Sequence, residues 1–284
     1  MSRQKFPRDD FEVIVVDDKN DTATDKIAGR FKEEFSLVLR HQDHVGPAAA
    51  RNAGAALAKG EYLAFTDDDC APAPDWLRSL AERFATSPAC GIGGRTVNGI
   101  PDSSCATASK NLADFLYSYY NPNAEEARLL FTNNLAVPTR VFRELGGFNA
   151  GFPFAGGEDR EFCYRWRFHG HRLAFAPEAV VLHRHHLSLS SFLRQHFSYG
   201  RGAYYFHRAV ARYDPQRFMF EPPSFYLKLL SSAFRRWDLP RQETSREKRP
   251  ALFLACLLGL SQAANAAGYF RELSRIAPVK KSNA

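Results

Sequence analysis

Two aspartates beside a predicted strand are spaced to hold a metal ion. Asp67 and Asp69 directly follow the apolar run EYLAFT (residues 61–66) and precede a helix that opens with prolines. Two carboxylates in this Asp-x-Asp arrangement on a turn can ligate one hard divalent cation and leave coordination positions for phosphate oxygens. An acidic loop that only caps the following helix is the alternative interpretation.

A cationic and an amide side chain, Arg51 and Asn52, lie in the segment GPAAARNAGAALAKG (residues 46–60). This Ala-rich segment is typical of a helix, and the backbone amides near a helix start, together with a guanidinium, can bind a pyrophosphate. Taken alone, the segment is better explained by an arginine on a solvated helix face.

A pair of acidic residues, Glu158 and Asp159, follows an aromatic, glycine-rich loop (GGFNAGFPFAGG) and opens a predicted helix. A carboxylate at the edge of such a loop can take a proton from a hydroxyl group. Acidic residues are also favoured at helix starts because they complement the helix dipole, so the pair has a purely structural interpretation as well.

Three histidines, His183, His185 and His186, follow the apolar run AVVL. A histidine at the end of a strand can ligate a metal ion or contact a phosphate. A single histidine would more often be structural. For three histidines within four residues, a functional role and a structural role are equally favoured.

The elements that must position these residues alternate between strands and helices. Predicted strands cover residues 11–16, 37–39 and 61–66, and predicted helices cover residues 22–35, 46–60 and a segment that ends near Ala85. This order predicts an α/β fold with an open, largely parallel sheet covered on both faces, in which the apolar strand 11–16 is buried on both sides. Ligands bind such sheets at the carboxyl ends of the strands, so the clusters Asp17-Asp18 and Asp67–Asp69 are expected at one edge.

Past residue 187 the pattern changes to helices, predicted at about residues 189–213, 224–236 and 249–276. We therefore expect an α/β domain over residues 1–187 and a helical extension over residues 188–284. The apolar run 251–260 is interrupted by Ser261, Gln262 and Asn265, and its ten residues fall short of the ~20 that a spanning helix needs. Packing on the domain and lying on a membrane surface are the two interpretations of this run.

The charge is uneven along the chain. Residues 1–200 carry 23 basic and 25 acidic side chains, whereas residues 201–284 carry 15 basic and 6 acidic ones. The basic C-terminal part indicates contact with an anionic membrane face or nucleic acid, or only a solvated helical surface. No nucleic-acid-binding motif accompanies it, so we expect no nucleic acid partner.

The cysteines favour a reducing compartment. Five are scattered along the chain without a CxxC pair, which excludes a zinc ribbon and argues against a disulfide framework. The first residues lack the apolar segment of a signal peptide. We expect a cytoplasmic protein, or one bound peripherally at the inner face of the membrane.

The chain resembles family 2 of the glycosyltransferases in six segments that occur in the family's order: FEVIVVDD, ARNAG, FTDDD, NNLAVPTRVFRELGGFNAGF, GGEDREFCYR and VVLHRHHLS. The resemblance covers about residues 11–190, and its specificity comes from the order, since no one segment would suffice. It implies the GT-A fold, a mainly parallel sheet flanked by helices. It also implies transfer of a sugar from a nucleotide diphosphate sugar, usually a uridine one, in pathways such as cell-envelope polysaccharide synthesis.

The resemblance implies donor-binding, metal-binding and catalytic roles for residues in these segments. The implied donor-binding residues are Asp17, Asp18, Arg51, Asn52 and Asp67, with the first two at the base and ribose and Arg51 near the diphosphate. The implied metal ligands are Asp69, Asp67 and His183, and oxygen ligands suit Mg²⁺ or Mn²⁺ rather than zinc. Asp159 matches the family's catalytic base, and Glu158 lies beside it.

These roles imply a single in-line displacement that inverts the anomeric centre. A divalent ion and Arg51 would stabilise the charge that grows on the leaving diphosphate, while Asp159 deprotonates the acceptor hydroxyl. The Gln-x-x-Arg-Trp motif of the processive synthases is absent, which favours transfer of one sugar per encounter. The acceptor, whether glycan, lipid or small molecule, is not written in these residues.

The chain departs from the family pattern in two places. Lys19 and Asn20 replace the Gly-Ser that often follows the paired aspartates. The family's first strand and helix would precede residues 11–16, so we expect the natural protein to begin about 30 to 40 residues upstream. A loss of that piece suggests the alternative of a catalytically impaired protein that binds a nucleotide or glycan. A phosphatase of the haloacid dehalogenase type is disfavoured, because Ala71 stands where its motif has Thr or Val.

Overall fold

The computed structural model describes residues 1–19, 21–215, 220–234 and 250–276. The strands are β1 (Glu12–Asp17), β2 (Ser36–His41), β3 (Tyr62–Phe65), β4 (Cys70–Pro72), β5 (Gly91–Asn98), β6 (Leu135–Pro138) and β7 (Leu173–His183). The helices are α1 (Thr22–Gly29), α2 (Pro47–Leu57), α3 (Trp76–Thr86), α4 (Ser104–Tyr120), α5 (Thr139–Glu144), α6 (Glu158–Phe168), α7 (Leu189–Val210), α8 (Pro223–Ser232) and α9 (Ala251–Ile276). Short 3-10 helices cover Arg8–Asp10, Ala124–Glu126 and Thr132–Asn134.

The strands form a five-stranded sheet in the order β3-β6-β5-β7-β4 and a separate pair, β1-β2. The predicted α/β class is confirmed, with helices flanking a mixed sheet. The prediction of a largely parallel sheet is wrong in detail, because only β1-β2 and β5-β7 are parallel and the other three described pairings are antiparallel. An apolar run predicts that a strand is buried, whereas its direction depends on the path of the connection before it.

Strand β1 is less buried than its apolar sequence predicts. Glu12 through Val16 are partly exposed, and only Asp17 at its end is buried. Helix α2 covers one face of the strand, where a Cβ added to Gly54 would lie 3.3 Å from Val16 Cγ2. Since β1 hydrogen-bonds only to β2 among the described strands, it receives less packing than a central strand does.

Two clusters of buried side chains make up the core around the five-stranded sheet. One is rich in aromatic residues of β3, α5 and α6, among them Phe65, Phe142 and Trp166. The other packs α3 against the sheet through Trp76. The Trp76 indole donates to Asn134 Oδ1 at 2.8 Å, and the Asn134 amide donates to backbone oxygens beside the irregular step in β5. These bonds fix the sheet that carries the site.

Helices α7 and α9 pack at unusually short range. A Cβ added to Gly200 would lie 1.8 Å from the Asn265 carbonyl oxygen, and one added to Gly268 would lie 2.0 Å from the Phe197 oxygen. Gly202 approaches Gly156 in the same way, so α7 also contacts the loop before α6. The C-terminal helices therefore pack on the α/β part, while the domain boundary near residue 187 stays a prediction.

The expectation that the last apolar run is too short to span a membrane is wrong in detail. Helix α9 continues past Ser261, whose hydroxyl donates to the Leu258 oxygen at 2.7 Å, so polar side chains do not end it. Within Ala251–Arg275 an 18-residue segment has a mean hydropathy of 1.5, and 22% of that segment is buried, so by length and composition alone the helix could cross a membrane. It is the one such helix among the described residues.

Candidate active site

The pairing of β4 with β7 places an acidic residue beside a histidine. Cys70 lies opposite His183 in the ladder, and Asp69 immediately precedes β4. His183 Nε2 lies 3.0 Å from Asp69 Oδ2, and His185 Nδ1 lies 4.0 Å from the same oxygen. Ligand atoms of Asp69, Cys70 and His183 all lie within 4.8 Å of one another. Side chains 114 residues apart in sequence are thus held together as one group that could hold a metal ion.

The charges of this group suit a divalent cation. Partial burial is the largest influence and raises the pKa of Asp69, but the hydrogen bond from His183 and the charges of His183 and His185 together outweigh it, so the pKa is lowered and the carboxylate stays ionised. Burial raises the pKa of the Cys70 thiol to about 12. An ionised carboxylate and an imidazole that remain partly exposed fit Mn²⁺ or Mg²⁺, with Cys70 a softer neighbour that sequence reasoning missed.

Arg51 joins the end of β3 to the start of α6. Its guanidinium donates to Asp67 Oδ1 at 2.8 Å and to Glu158 Oε1 at 3.2 Å. Glu158 Oε2 also accepts from the backbone of Gly156 at 2.7 Å. Burial is the largest influence and lowers the pKa of Arg51, but the charge and hydrogen bond of Asp67 and the charge of Glu158, with that of Asp159, together outweigh it and the pKa is raised. A permanent cation therefore lies between the two acidic clusters.

Asp159 lies in the first turn of α6, on the wall of the cavity described below. Its Oδ1 accepts from the Arg160 backbone at 2.8 Å. Burial, and then the charge of Glu158, raise the pKa of the Asp159 carboxyl to about 7. A carboxyl with a pKa near neutrality can take a proton from a hydroxyl group more readily than an ordinary aspartate can.

One cavity of about 810 Å³ collects most of these residues. Its lining includes the predicted site residues Arg51, Asp67, Asp69, Glu158, Asp159 and His183, and also His185. The rest of its wall comes largely from α4, α7, α8 and α9. The α/β part thus contributes the acidic and cationic side chains, and the helices contribute the opposite wall.

The paired aspartates after β1 do not line this cavity. Asp17 accepts from the backbones of Lys19 and Asp21 at 3.0 and 2.7 Å, and the bond from Lys19 is the main reason that its pKa is lowered. Asp18 accepts from the Gln42 side chain and from the backbones of Val45 and Gly46. Burial raises the pKa of Asp18, but these bonds outweigh it and the pKa is lowered. Both side chains hold loops together, and their contact with the base and ribose of a nucleotide stays a prediction.

Asn52 is also occupied by the protein itself. Its amide nitrogen donates to the Phe148 oxygen at 2.7 Å, and its Oδ1 accepts from the Phe148 backbone at 2.8 Å. The side chain therefore ties α2 to the glycine-rich loop and does not line the cavity. Its contact with the donor stays a prediction.

Sequence reasoning missed three residues near the start of α7 that line the cavity, Gln195, His196 and Tyr199. They belong to no motif. Their spacing over one helical turn places them on a common face, which is the one signal that could have singled them out. Nothing in the sequence shows that this face meets Asp159, because the contact depends on how α7 packs.

Two family profiles match the chain. Glycosyl transferase family 2 matches residues 2–152, and the profile described as the N-terminal domain of galactosyltransferase matches residues 118–187. A pre-mycofactocin glycosyltransferase of Mycobacterium tuberculosis is 30% identical over 201 residues, which cover 67% of this chain and 41% of that protein. Glycosyltransferase AglE of Haloferax volcanii is 26% identical over 204 residues, or 71% of this chain and 66% of that one.

Solved structures share the fold. The mannosyltransferase PcManGT from Pyrobaculum calidifontis, in complex with GDP-Man and Mn²⁺, has a TM-score of 0.56 at 19% identity and covers 98% of this chain and 70% of its own. S. aureus TarS 1–349 in complex with UDP has a TM-score of 0.51 at 17% identity, covering 100% and 87%. These similarities show the fold alone.

The pre-mycofactocin glycosyltransferase is much longer than the matched region, because this chain spans 41% of its length. The family profile nevertheless extends from the N-terminal segment through β6 and α5 to the loop before α6, and so includes Arg51, Asp67 and Asp69. More than half of the chain is matched in this way, and the fold agrees. The chain therefore belongs to glycosyl transferase family 2 and has the GT-A fold.

Proposed function

We propose that this chain transfers a sugar from a nucleotide diphosphate sugar to an acceptor hydroxyl, with inversion and one sugar at a time. One observation carries the proposal. A single cavity holds the Asp69–His183 pair, the Arg51 cation and the near-neutral acid Asp159. Leaving-group stabilisation and proton removal, the two requirements of glycosyl transfer, thus have candidate groups in one space.

The proposed step is a single displacement. The acceptor oxygen forms a bond to the anomeric carbon, its proton passes to Asp159, and the bond from that carbon to the diphosphate oxygen breaks with its electron pair leaving on the diphosphate. Arg51 offsets part of that developing charge. A Mg²⁺ or Mn²⁺ ion held by Asp69 and His183, with Asp67 nearby, would supply further charge neutralisation at the diphosphate. One displacement inverts the anomeric centre, and no covalent intermediate on the protein is required.

Uridine is the proposed donor base. The family resemblance implies it, and the TarS structure of the same fold is in complex with UDP. PcManGT, which is in complex with GDP-Man and Mn²⁺, makes guanosine the alternative donor base. Single transfer is supported by the missing Gln-x-x-Arg-Trp motif.

The experiment that tests the proposal is a donor panel. UDP- and GDP-linked hexoses are incubated with the chain in Mn²⁺, Mg²⁺ or chelator, and released nucleoside diphosphate is measured. We expect release from one donor class, dependent on a divalent ion. Tight binding of a nucleoside diphosphate without turnover of any donor would contradict catalysis and favour the alternative of a nucleotide-binding protein.

We also propose peripheral contact with the inner face of a membrane. Large apolar side chains are exposed on and beside neighbouring helices. They include Leu227 on α8, Phe234 just after α8, and Leu252 and Leu260 on α9. The C-terminal part of the sequence is strongly basic, although the charged run 241–249 lies outside the described residues. Apolar and basic groups together suit an anionic bilayer surface.

Vesicle sedimentation tests this contact. Binding to vesicles that contain anionic lipid should weaken steeply as salt rises, because salt screens the charges. Leu227→Gln should reduce binding, since it removes an apolar contact without changing the charge, whereas Leu57→Gln changes another exposed leucine, on α2, and serves as the control. No binding at low salt would contradict the proposal.

A further inference from the structure

The cavity extends well beyond the groups that the proposed reaction uses. We infer that its helix-lined half is an acceptor site in two parts, a polar part beside Asp159 and an aromatic part, and that it takes an acceptor carrying an apolar aglycone. The inference rests on the proposed function and names the class of its acceptor.

The polar part is formed by α7. His196 is 1% exposed and its Nε2 has no hydrogen-bond partner within the described chain, and neither has the neighbouring Gln195 Oε1. Burial lowers the pKa of His196 to about 4, so the ring is neutral and can serve a neutral hydroxyl. Both residues line the cavity that contains Asp159. Buried polar atoms without partners are costly, and the hydroxyl groups of a sugar would satisfy them.

A polar belt links this part to the next one. Arg160, which follows Asp159, donates to the Tyr120 hydroxyl at 3.4 Å and lies 4.5 Å from the centre of the Phe206 ring. The Tyr120 hydroxyl in turn bonds to the Glu221 carboxylate just before α8. The line of contacts therefore runs from the proposed base to the end of α4 and the start of α8.

The aromatic part lies beyond the belt, between α4, α8 and α9. Its lining includes Leu112 and Leu116 of α4, Phe225 and Tyr226 of α8, and Phe270 of α9. Phe225 is held by ring contacts with Phe115 and Tyr119 at 5.1 and 4.9 Å. These walls offer methylene and ring surfaces, against which sugar hydroxyls would lose their hydrogen bonds. An alkyl or aryl group is therefore the better occupant.

This aromatic part opens to the protein surface. Tyr226 and Phe270 line the cavity, yet they are 38% and 56% exposed. An apolar chain that starts near Asp159 would leave the cavity past these two rings. The shared chemistry is an amphipathic glycoside, either soluble or anchored in a lipid surface.

Equilibrium binding of alkyl glycosides, without donor, tests the inference. The probes are the n-octyl and methyl glycosides of glucose, galactose and mannose, kept below the concentrations at which micelles form. Burying the added methylenes should make at least one octyl glycoside bind about tenfold or more tightly than its methyl partner. Equal affinity of the octyl and methyl forms for all three sugars would overturn the inference.

Matched variants locate the binding. Tyr226→Ala and Phe270→Ala should each remove most of the octyl advantage. Leu227 on α8 and Phe253 on α9 are also exposed, but they do not line the cavity. Leu227→Ala and Phe253→Ala should therefore keep the octyl advantage. Equal losses in all four variants would overturn the inference, because they would indicate adsorption to the outer apolar face.

Competition separates this inference from the proposed function. Nucleoside diphosphate should not displace the octyl glycoside, and displacement would instead place the nucleotide in the aromatic part and overturn the inference. Failure of every donor to turn over would contradict the proposed function and leave this binding result standing. Displacement by vesicles containing a glycolipid would support a lipid-anchored acceptor, and its absence beside octyl binding would support a soluble one.

Discussion

Asp159 is the residue on which the proton chemistry of the proposed reaction depends. It lies in the same cavity as Asp69 and Arg51, and no cation is paired directly with its carboxylate in the hydrogen bonds of the described chain. Burial and the charge of Glu158 keep its pKa near neutrality. Its neighbour Glu158, by contrast, is fixed by Arg51 and the Gly156 backbone. We therefore expect the two adjacent carboxylates to differ, with Asp159 able to exchange a proton and Glu158 held by its hydrogen bonds.

Replacing the proposed base separates chemistry from binding. Asp159→Asn keeps the size of the side chain but cannot accept the proton, so transfer should fall by roughly 10²-fold or more. Nucleoside diphosphate affinity should stay near that of the wild type. Asp75→Asn, a carboxylate at the start of α3 and outside the cavity lining, is the matched control. A collapse of donor affinity with an unchanged rate per bound donor would make Asp159 a binding residue.

The pH dependence of transfer follows from the raised pKa. Because the base acts only when ionised, kcat/KM should rise with pH through about 7, the pKa given by the burial of Asp159. An ordinary aspartate would place this rise near its unperturbed pKa of about 4. Rates measured from pH 5 to 8.5 show at which pH kcat/KM rises. A flat profile, or the same rise in the residual activity of Asp159→Asn, would contradict the role of Asp159 as the base.

At the residue scale, the sequence was informative where chemistry is written in short motifs. Asp67, Asp69, Arg51, Asp159 and His183 were all candidates, and the structure gathers them around one cavity. Asp17, Asp18 and Asn52 were candidates of the same kind. They hydrogen-bond to other groups of the protein and do not line this cavity, so their contact with a donor stays a prediction. Residue type alone does not show whether a carboxylate faces a ligand or its own loop.

Helix α7 is the element that brings the helical wall to the catalytic side. Its glycines allow contact on two sides, with Gly200 against the α9 backbone and Gly202 against the Gly156 oxygen. Tyr199 packs over Gly156 in the same region, since a Cβ added there would lie 2.6 Å from its ring. The position of the glycine-rich loop, and with it that of Glu158, therefore depends on α7.

A methyl group at this contact should be destabilising. Gly200→Ala would place a Cβ 1.8 Å from the Asn265 oxygen, so α7 and α9 must separate, which costs about 1–3 kcal/mol. Gly259→Ala is the matched control on α9, because its Cβ would meet only Leu230 Cδ2 at 4.0 Å and alanine favours a helix. Thermal and urea unfolding measure both variants. Equal stability of Gly200→Ala and the wild type would contradict the close packing.

At the element scale, periodicity predicted the helices better than the sheet. The helix predicted at residues 189–213 is observed as Leu189–Val210, and the one predicted at 249–276 as Ala251–Ile276. The three-residue strand β4 was not predicted, although its pairing with β7 places Asp69 beside His183. A pairing between residues so far apart in sequence leaves no local pattern, because its register is set by the packing of the whole sheet.

At the scale of the whole molecule, the α/β part and the C-terminal helices contribute different halves of one cavity. The family profiles cover residues 2–187, which hold the proposed metal ligands and base. Helices α7 to α9 follow this region and contribute the polar and aromatic lining. The matched families therefore cover the proposed donor side, and we propose that acceptor choice depends on the helices that follow residue 187.

We expect Asp69 and His183 to form a metal site that binds the diphosphate of a donor. Calorimetric titration of UDP and GDP into the wild type and Asp69→Ala, in Mn²⁺ and in chelator, tests it directly. One nucleotide should bind the wild type in Mn²⁺ at least about tenfold more tightly than in chelator, and this gain should vanish in Asp69→Ala that is folded by circular dichroism. A folded Asp69→Ala variant with the full metal-dependent gain in nucleotide affinity would contradict this metal site. So would a wild-type affinity that is the same in Mn²⁺ and in chelator.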